Sequence, residues 1–215
     1  MSPVRVRLSA PKKLIMKFSQ LKLPNLGVLQ TQIPDDVLKN IHKQIHSPYI
    51  SNIDNSYNNR LVGQMKGEFE FTITEDFENF LKEFYSHYVE TFNLIKRKVV
   101  GLDAWANFQQ ATEYNPVHLH EAEASWVLWI KIPYKLEEED NLPNSRMSYH
   151  HTNSRFQFVY SRIDGLIQTH DLAVDSDWEG TIIIFPSLLR HCVYPFFTSD
   201  ESRISIAGNI HATQW

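Results

Sequence analysis

Hydrophobic positions recur at helical spacing in two stretches of the first half of the chain, and as alternations or short runs through the second half. Val37, Leu38, Ile41 and Ile45 form the first stripe, introduced by Pro34-Asp35-Asp36. Proline suits a first helical turn, and the two acids suit the positive end of the helix dipole. Ser47-Pro48 ends this helix. The second stripe is longer: Phe77, Phe80, Leu81, Phe84, Tyr88, Phe92 and Ile95, opened by Thr74-Glu75-Asp76 and running to about Lys96. Thr74 is its expected cap, and the aromatic face is expected to pack on a sheet rather than to hold a cofactor. The segment before Pro34 is broken by Pro3, Pro11 and Pro24 and reads as irregular with one or two strands. Ser51 to Arg60, rich in Asn, Ser and Asp, reads as a loop.

After Val99 the period changes. Ala104 to Ala111, Ser125 to Pro133, Arg155 to Tyr160, Gly180 to Phe185 and Arg203 to Ile210 are rich in β-branched and aromatic residues and bounded by turn residues, which predicts strands. Helices first and many short strands later predict a mainly β fold: a jelly roll, or double-stranded β-helix of the cupin-like kind, with N-terminal helices packed on the sheet. The acidic Leu136 to Asp140 and the polar run Asn141 to Ser154 are expected to form an exposed insert. No internal repeat and no second core is visible. The expected organisation is one domain over 1–215, with 1–98 as helical and irregular support and 99–215 as the jelly-roll catalytic core.

Composition narrows the classes. A chain of 215 residues suits one sizeable core, and 42% hydrophobic with 21% charged residues marks a folded protein. The net charge of -4 argues against phosphate-backbone binding as the main task. One cysteine, Cys192, excludes an internal disulfide framework and fits a reducing compartment. No apolar run approaches a membrane span, and the basic Met1 to Lys17 lacks the apolar stretch of a signal peptide. The expected location is therefore soluble and intracellular.

Candidate chemistry lies in three fragments: Asn115-Pro-Val-His-Leu-His120, Phe185-Pro-Ser-Leu-Leu-Arg-His191 and Ser202-Arg-Ile-Ser205. Residues two apart on a strand share a face, so His118 and His120 can present two imidazoles to one ion. Imidazole suits Fe(II), Zn(II), Mn(II) and Cu(II). His191 follows the buried run Gly180 to Pro186 and is expected at the mouth of a barrel, where the other two can meet it. Arg203 and Ser205 also share a face. An inward arginine is costly unless an anion meets it, and a guanidinium pairs with a carboxylate through two parallel bonds. The fragments together predict a metal inside a β-barrel beside a carboxylate-bearing co-substrate.

This order, His-x-His, strand, Phe-Pro-x-x-x-x-His, then Arg-x-Ser, resembles the Fe(II)- and 2-oxoglutarate-dependent oxygenases of the double-stranded β-helix class, in particular those of tailed phages and marine bacteria. Asn107-Phe108, Asn115-Pro116, His118, His120, Ser125, Phe185-Pro186, His191, Val193, Pro195, Arg203-Ile204-Ser205 and Asn209 carry the resemblance, which spans roughly Leu61 to Ile210. It implies Fe(II) on the histidines, 2-oxoglutarate with its far carboxylate on Arg203 and Ser205, and dioxygen as the second co-substrate. It further implies decarboxylation of 2-oxoglutarate to succinate and carbon dioxide, coupled to oxidation of a substrate C–H bond. Through the phage likeness it implies action in a host cytoplasm. Asn107, Gln109 and Tyr114 alternate near this pocket and can hydrogen-bond 2-oxoglutarate or substrate.

The ligand set departs from the usual two histidines and one carboxylate, because His120 occupies the acid's position. Three arrangements remain open: His118, His120 and His191 together; Glu123 swinging in as the alternative ligand; or two histidines with water or an anion. The i, i+2 geometry favours three histidines, with Glu121 and Glu123 as loop acids. Trp126 and Trp129 are expected in the core or the pocket wall, His150-His151 in a solvated loop, and Cys192 as a buried spectator. The substrate, a peptide, protein side chain or small molecule, would enter between the insert Glu137 to Ser154 and the Asn-rich loop near Ser51. Related prolyl hydroxylases favour a peptide or protein. Two rivals are a cupin-type metalloprotein that does not use 2-oxoglutarate and a non-catalytic protein stabilised by a closed metal site.

Overall fold

The computed structural model describes residues 19–20, 26–47, 50, 56–162 and 164–213. Much of the segment before Pro34 (1–18 and 21–25), Pro48, and most of the Asn-rich loop (51–55) lie outside these residues. The described chain folds as a jelly roll of two antiparallel sheets with helices on one side, as the periodicity predicts.

The strands are β1 (Ser19–Gln20), β2 (Leu29–Gln32), β3 (Glu68–Glu70), β4 (Val99–Gln109), β5 (Asn115–His118), β6 (Ala124–Lys131), β7 (Phe156–Ser161), β8 (Ile167–Leu172), β9 (Thr181–Pro186), β10 (Arg190–Val193) and β11 (Arg203–Ala212). Seven form a sheet in the order β1-β2-β9-β6-β11-β4-β3, and four form a second in the order β5-β10-β7-β8. The α-helices among the described residues are α1 (Asp35–Ile45), α2 (Glu75–Thr91) and the short α3 (Leu136–Asp140) and α4 (Pro143–Arg146).

Alternation along the strands sorts residues between two cores. Trp126, Leu128, Ile182, Ile184, Ile204 and Ile206 face α1 and α2, where they meet Phe77, Phe80, Leu81 and Phe84. The intervening Val127, Trp129, Ile183 and Phe185 face the small sheet and pack with Phe156, Phe158 and Phe196. A strand buried on both faces must be apolar throughout, which is why Thr181 to Phe185 reads as a continuous run. Gly208 allows β11 to pass Trp126: a Cβ there would collide with the indole and with the Asp103 backbone.

The structure amends several expectations. Helix α2 stops at Thr91, because Asn93 takes a left-handed backbone conformation (φ 52°). Phe92 packs beside the core, whereas Ile95 is exposed. The insert is not wholly exposed: Glu139 is completely buried. Its Oε1 accepts hydrogen bonds from the Phe197 and Thr198 amides and the Thr198 hydroxyl, pinning that loop. Strands β1 and β2 lie in the segment before Pro34 where one or two strands are expected, but β3, β5, β8 and β10 escaped the sequence reading. These four are three to six residues long, with mixed polarity, and are held by pairing to distant partners. Pro116 is tolerated in β5 because β5 is the edge of its sheet.

Candidate metal centre

His118 ends edge strand β5 and lies directly opposite His191 in the register with β10. His191 therefore sits within a strand of its own, not just past one as its sequence context suggests. His120 lies beyond the end of β5, and its amide donates to the Ser187 carbonyl (2.9 Å), which ties it to the turn between β9 and β10. Strand alternation is thus not what aligns the two β5-side histidines, yet the three imidazoles converge. One ligand nitrogen from each of His118, His120 and His191 falls within 4.8 Å of the others.

Local hydrogen bonds set two of the tautomers. Nδ1 of His118 lies 2.7 Å from the Pro116 carbonyl, and Nδ1 of His191 lies 2.9 Å from the Leu189 carbonyl. A carbonyl only accepts, so each Nδ1 carries the proton and each Nε2 presents a lone pair. Burial lowers the pKa of all three. His120 falls to about 4, through desolvation and then the neighbouring His118, against an opposing pull from Asp103. His191 is held well below the ordinary imidazole range, first by its burial; the Phe156 ring stacks on it and the Phe185 ring edge meets it. Neutral imidazoles whose ring nitrogens lie this close together are what a divalent metal requires.

The same cavity runs from the histidines along the inner faces of β4 and β11, past Trp105, Asn107 and Ser205, to Gln109 and Arg203. Arg203 is buried and held only by neutral groups: it donates to the Tyr134 hydroxyl (3.0 Å), the Ser154 carbonyl (3.0 Å) and Oε1 of Gln109. No acid among the described residues pairs with it. A buried guanidinium without a counter-ion calls for an anion. Asn107 adds a buried Oδ1 with no partner, while its amide donates to Ser205 Oγ at 3.4 Å. The residues present therefore fit a divalent metal with a carboxylate ligand alongside.

Not every candidate joins this group. Glu123 lies 2.5 Å from Arg97 and lines a different surface hollow, with Glu121 and His211, so the structure does not bring it to the histidines. Tyr114 is exposed, bridges to Gln64, and does not line the cavity. Trp129 forms pocket wall and Trp126 core. Cys192 is buried, and burial pushes its thiol up to about 11, which leaves it protonated at neutral pH. His150 contacts Asp171 at 2.5 Å, and His151 contacts Ser145 Oγ at 3.1 Å.

Sequence reading missed Tyr134 and Ser154, which steady Arg203, and Glu68 on β3. Glu68 is completely buried, and neither carboxylate oxygen has a hydrogen-bond partner. Desolvation, then the nearby Glu113, raises its pKa to about 7. Glu68 borders a second cavity that meets the first at Trp105, Asn115, His118 and His120. In the sequence it sits in Glu-Phe-Glu, which reads as a solvated edge, and nothing there signals burial.

Comparison with known proteins agrees with this geometry. Residues 103–209 match the model of a family described as "Putative 2OG-Fe(II) oxygenase". No curated protein sequence matches the chain. Among solved structures, a Pseudomonas putida prolyl-4-hydroxylase superposes with a TM-score of 0.53 at 13% identity, covering 87% of this chain and 94% of that one. A Trichoplax adhaerens prolyl hydroxylase, solved with a hypoxia inducible factor peptide fragment, gives 0.51 at 11% identity over 87% and 84% of the two chains. HygX from Streptomyces hygroscopicus, with nickel, 2-oxoglutarate and hygromycin B bound, gives 0.50 at 10% identity over 89% and 85%. At such identities the superpositions speak for the fold. No helix among the described residues is long and apolar enough to cross a membrane. With residues 103–209 matched to the family model and the jelly roll built around them, the chain belongs to the Fe(II)- and 2-oxoglutarate-dependent oxygenases.

Proposed function

We propose that the protein hydroxylates a C–H bond of a substrate at a three-histidine iron site, consuming 2-oxoglutarate and dioxygen. The observation that supports this most directly is the placement of an uncompensated buried Arg203 in the same cavity as His118, His120 and His191. When bound, Fe(II) supplies the redox chemistry that couples 2-oxoglutarate decarboxylation to substrate oxidation. The chain's own residues do the positioning. His118, His120 and His191 would hold the metal, and all three line the cavity that leads to Arg203. Arg203 takes the far carboxylate of 2-oxoglutarate, with Gln109 and Tyr134 fixing the guanidinium and Ser205 and Asn107 offering polar contacts along the way. Trp129, Phe156 and Val127 wall the cavity from water.

Arg203 also weighs against a cupin-type centre, which has no use for a buried cation in its pocket. A purely structural metal site is closed by four protein ligands, whereas only three ligating groups converge among the described residues. The related hydroxylases favour a peptide or protein side chain as the substrate.

The test is anaerobic titration of the Fe(II)-loaded protein with 2-oxoglutarate, monitored by the metal-to-ligand charge-transfer absorption of the chelate. Wild type should show the band, and His191→Ala should lose it. Arg203→Ala should need roughly 10- to 100-fold more 2-oxoglutarate, the cost of a lost charge-assisted hydrogen-bond pair. A fully iron-loaded wild type without the band overturns the assignment.

A further inference from the structure

We propose that Glu68 is the substrate-recognition residue of this centre and that it takes a cation, the ammonium or guanidinium of an amine-bearing substrate, in the cavity on the open side of His118 and His120. This rests on the oxygenase reading of the histidines and extends it to the substrate class.

The cavity is lined by Glu68, Trp105, Asn115, His118, Leu119 and His120, with Arg60 to Val62 along its rim. It is separate from the Arg203 pocket and shares with it only the residues around the metal site. Its volume of about 100 Å³ is below that of sites for drug-sized ligands and suits the cationic end of one side chain or a compact amine.

Glu68 is held where it is by its backbone. Its carbonyl accepts from the Tyr57 amide (2.7 Å), its amide donates to Asn58 Oδ1 (3.4 Å), and β3 pairs it opposite Asn107. The side chain is completely buried, yet both oxygens lack partners. Gly63 makes room for it, since a Cβ there would collide with the carboxylate and with Asn115. The nearest rim cation, Arg60, is placed over the Tyr57 ring at 5.0 Å. Glu68 also stands outside the convergent three-histidine group, so it is not placed as a metal ligand.

A buried carboxylate with two empty acceptors is expensive to keep. A neutral hydroxyl or amide would satisfy one oxygen. An ammonium or guanidinium offers several N–H donors and the opposite charge, and satisfies both. With its cation at Glu68, the carbon chain of such a ligand would extend along Trp105 towards the histidines.

Ligand-observed saturation-transfer NMR on the full-length protein, loaded with Zn(II) so that no turnover occurs, reads binding without activity. The probes are agmatine, cadaverine and lysine, capped lysine and arginine pentapeptides, and, as isosteres with neutral side chains, citrulline and Nε-acetyl-lysine with their α-amino and carboxyl groups capped. The expected result is contact with cationic probes only, weakened about ten-fold or more in Glu68→Gln and less in Glu68→Asp. Preference for the peptides would identify a protein side chain as the source of the cation, and preference for free amines a small metabolite. Equal contact by charged and neutral probes with wild type overturns the proposal, and that comparison stands even if Glu68→Gln does not fold. The two readings fail separately. A missing charge-transfer band in wild type removes the oxygenase, whereas charge-blind binding removes only the role of Glu68.

Discussion

Strands β6 and β9 and strands β4 and β11 belong to one sheet and lie under the same helices, yet they differ on the inner face. β6 and β9 carry Val127, Trp129, Ile183 and Phe185 inward and are apolar on both sides. β4 and β11 are apolar towards the helices, but inward, beside Trp105 and Ala207, they carry Asn107, Gln109, Arg203 and Ser205. The first pair is accounted for by burial alone. The second keeps groups that folding leaves unsatisfied, such as an arginine without an acid and an asparagine oxygen without a donor. Such residues are explained by what they bind, so the inner half-face of β4 and β11 is where stability and function separate.

That contrast can be broken by substitution. The largest effect is expected on the helix side: Phe77→Ala, removing a ring that meets Trp126 at 5.4 Å, should cost about 3–5 kcal/mol in denaturant unfolding. A loss under about 1 kcal/mol would deny α2 its role in the core. Arg203→Leu should do the reverse, weakening 2-oxoglutarate binding by about 2–3 kcal/mol in the charge-transfer titration while moving stability much less. If it unfolds the protein instead, the arginine belongs to the scaffold. Glu139→Gln sits between these cases. It disturbs three hydrogen bonds to the 197–198 loop, and a stability loss of about 1–3 kcal/mol is expected by calorimetry.

The smallest effect is expected at Glu68, and it should appear as a pH dependence. Its folded pKa of about 7 lies above the ordinary carboxylate value of 4.5, so between those values the folded state holds a proton that the unfolded state has released. Stability should therefore fall as pH rises through that window and level off above it. Glu68→Gln should remove this slope in melting temperature against pH and gain about 1 kcal/mol or somewhat more near neutrality. An unchanged slope would mean that the carboxylate is solvated in the folded protein.

The long elements were legible because each carries its own period. Phe77 to Tyr88 mark a helix without help from elsewhere, and Ile182 to Phe185 mark a doubly buried strand. His118, His120, His191 and Arg203 were legible through order and spacing. What could not be read arises between segments. β10 is four residues of mixed polarity that exist as a strand through β5 and β7. Glu139 and Glu68 look like solvated acids until the loop at Thr198 and the turn at Gly63 close over them. Glu123, so close in sequence to His120, is turned away by Arg97, twenty-six residues earlier.

The direct pairing of His118 with His191 has a mechanical consequence. β5 is a short edge strand whose Pro116 cannot donate a ladder hydrogen bond, so its grip on β10 is weak by backbone alone. An ion bound to both histidines would staple the two strands together, and its binding free energy would become cohesion of the small sheet. Metal occupancy should thus be visible as slowed amide exchange at Val117 to His120 and at His191 to Val193, and chelation should loosen this corner while the sheet under α2 keeps its protection.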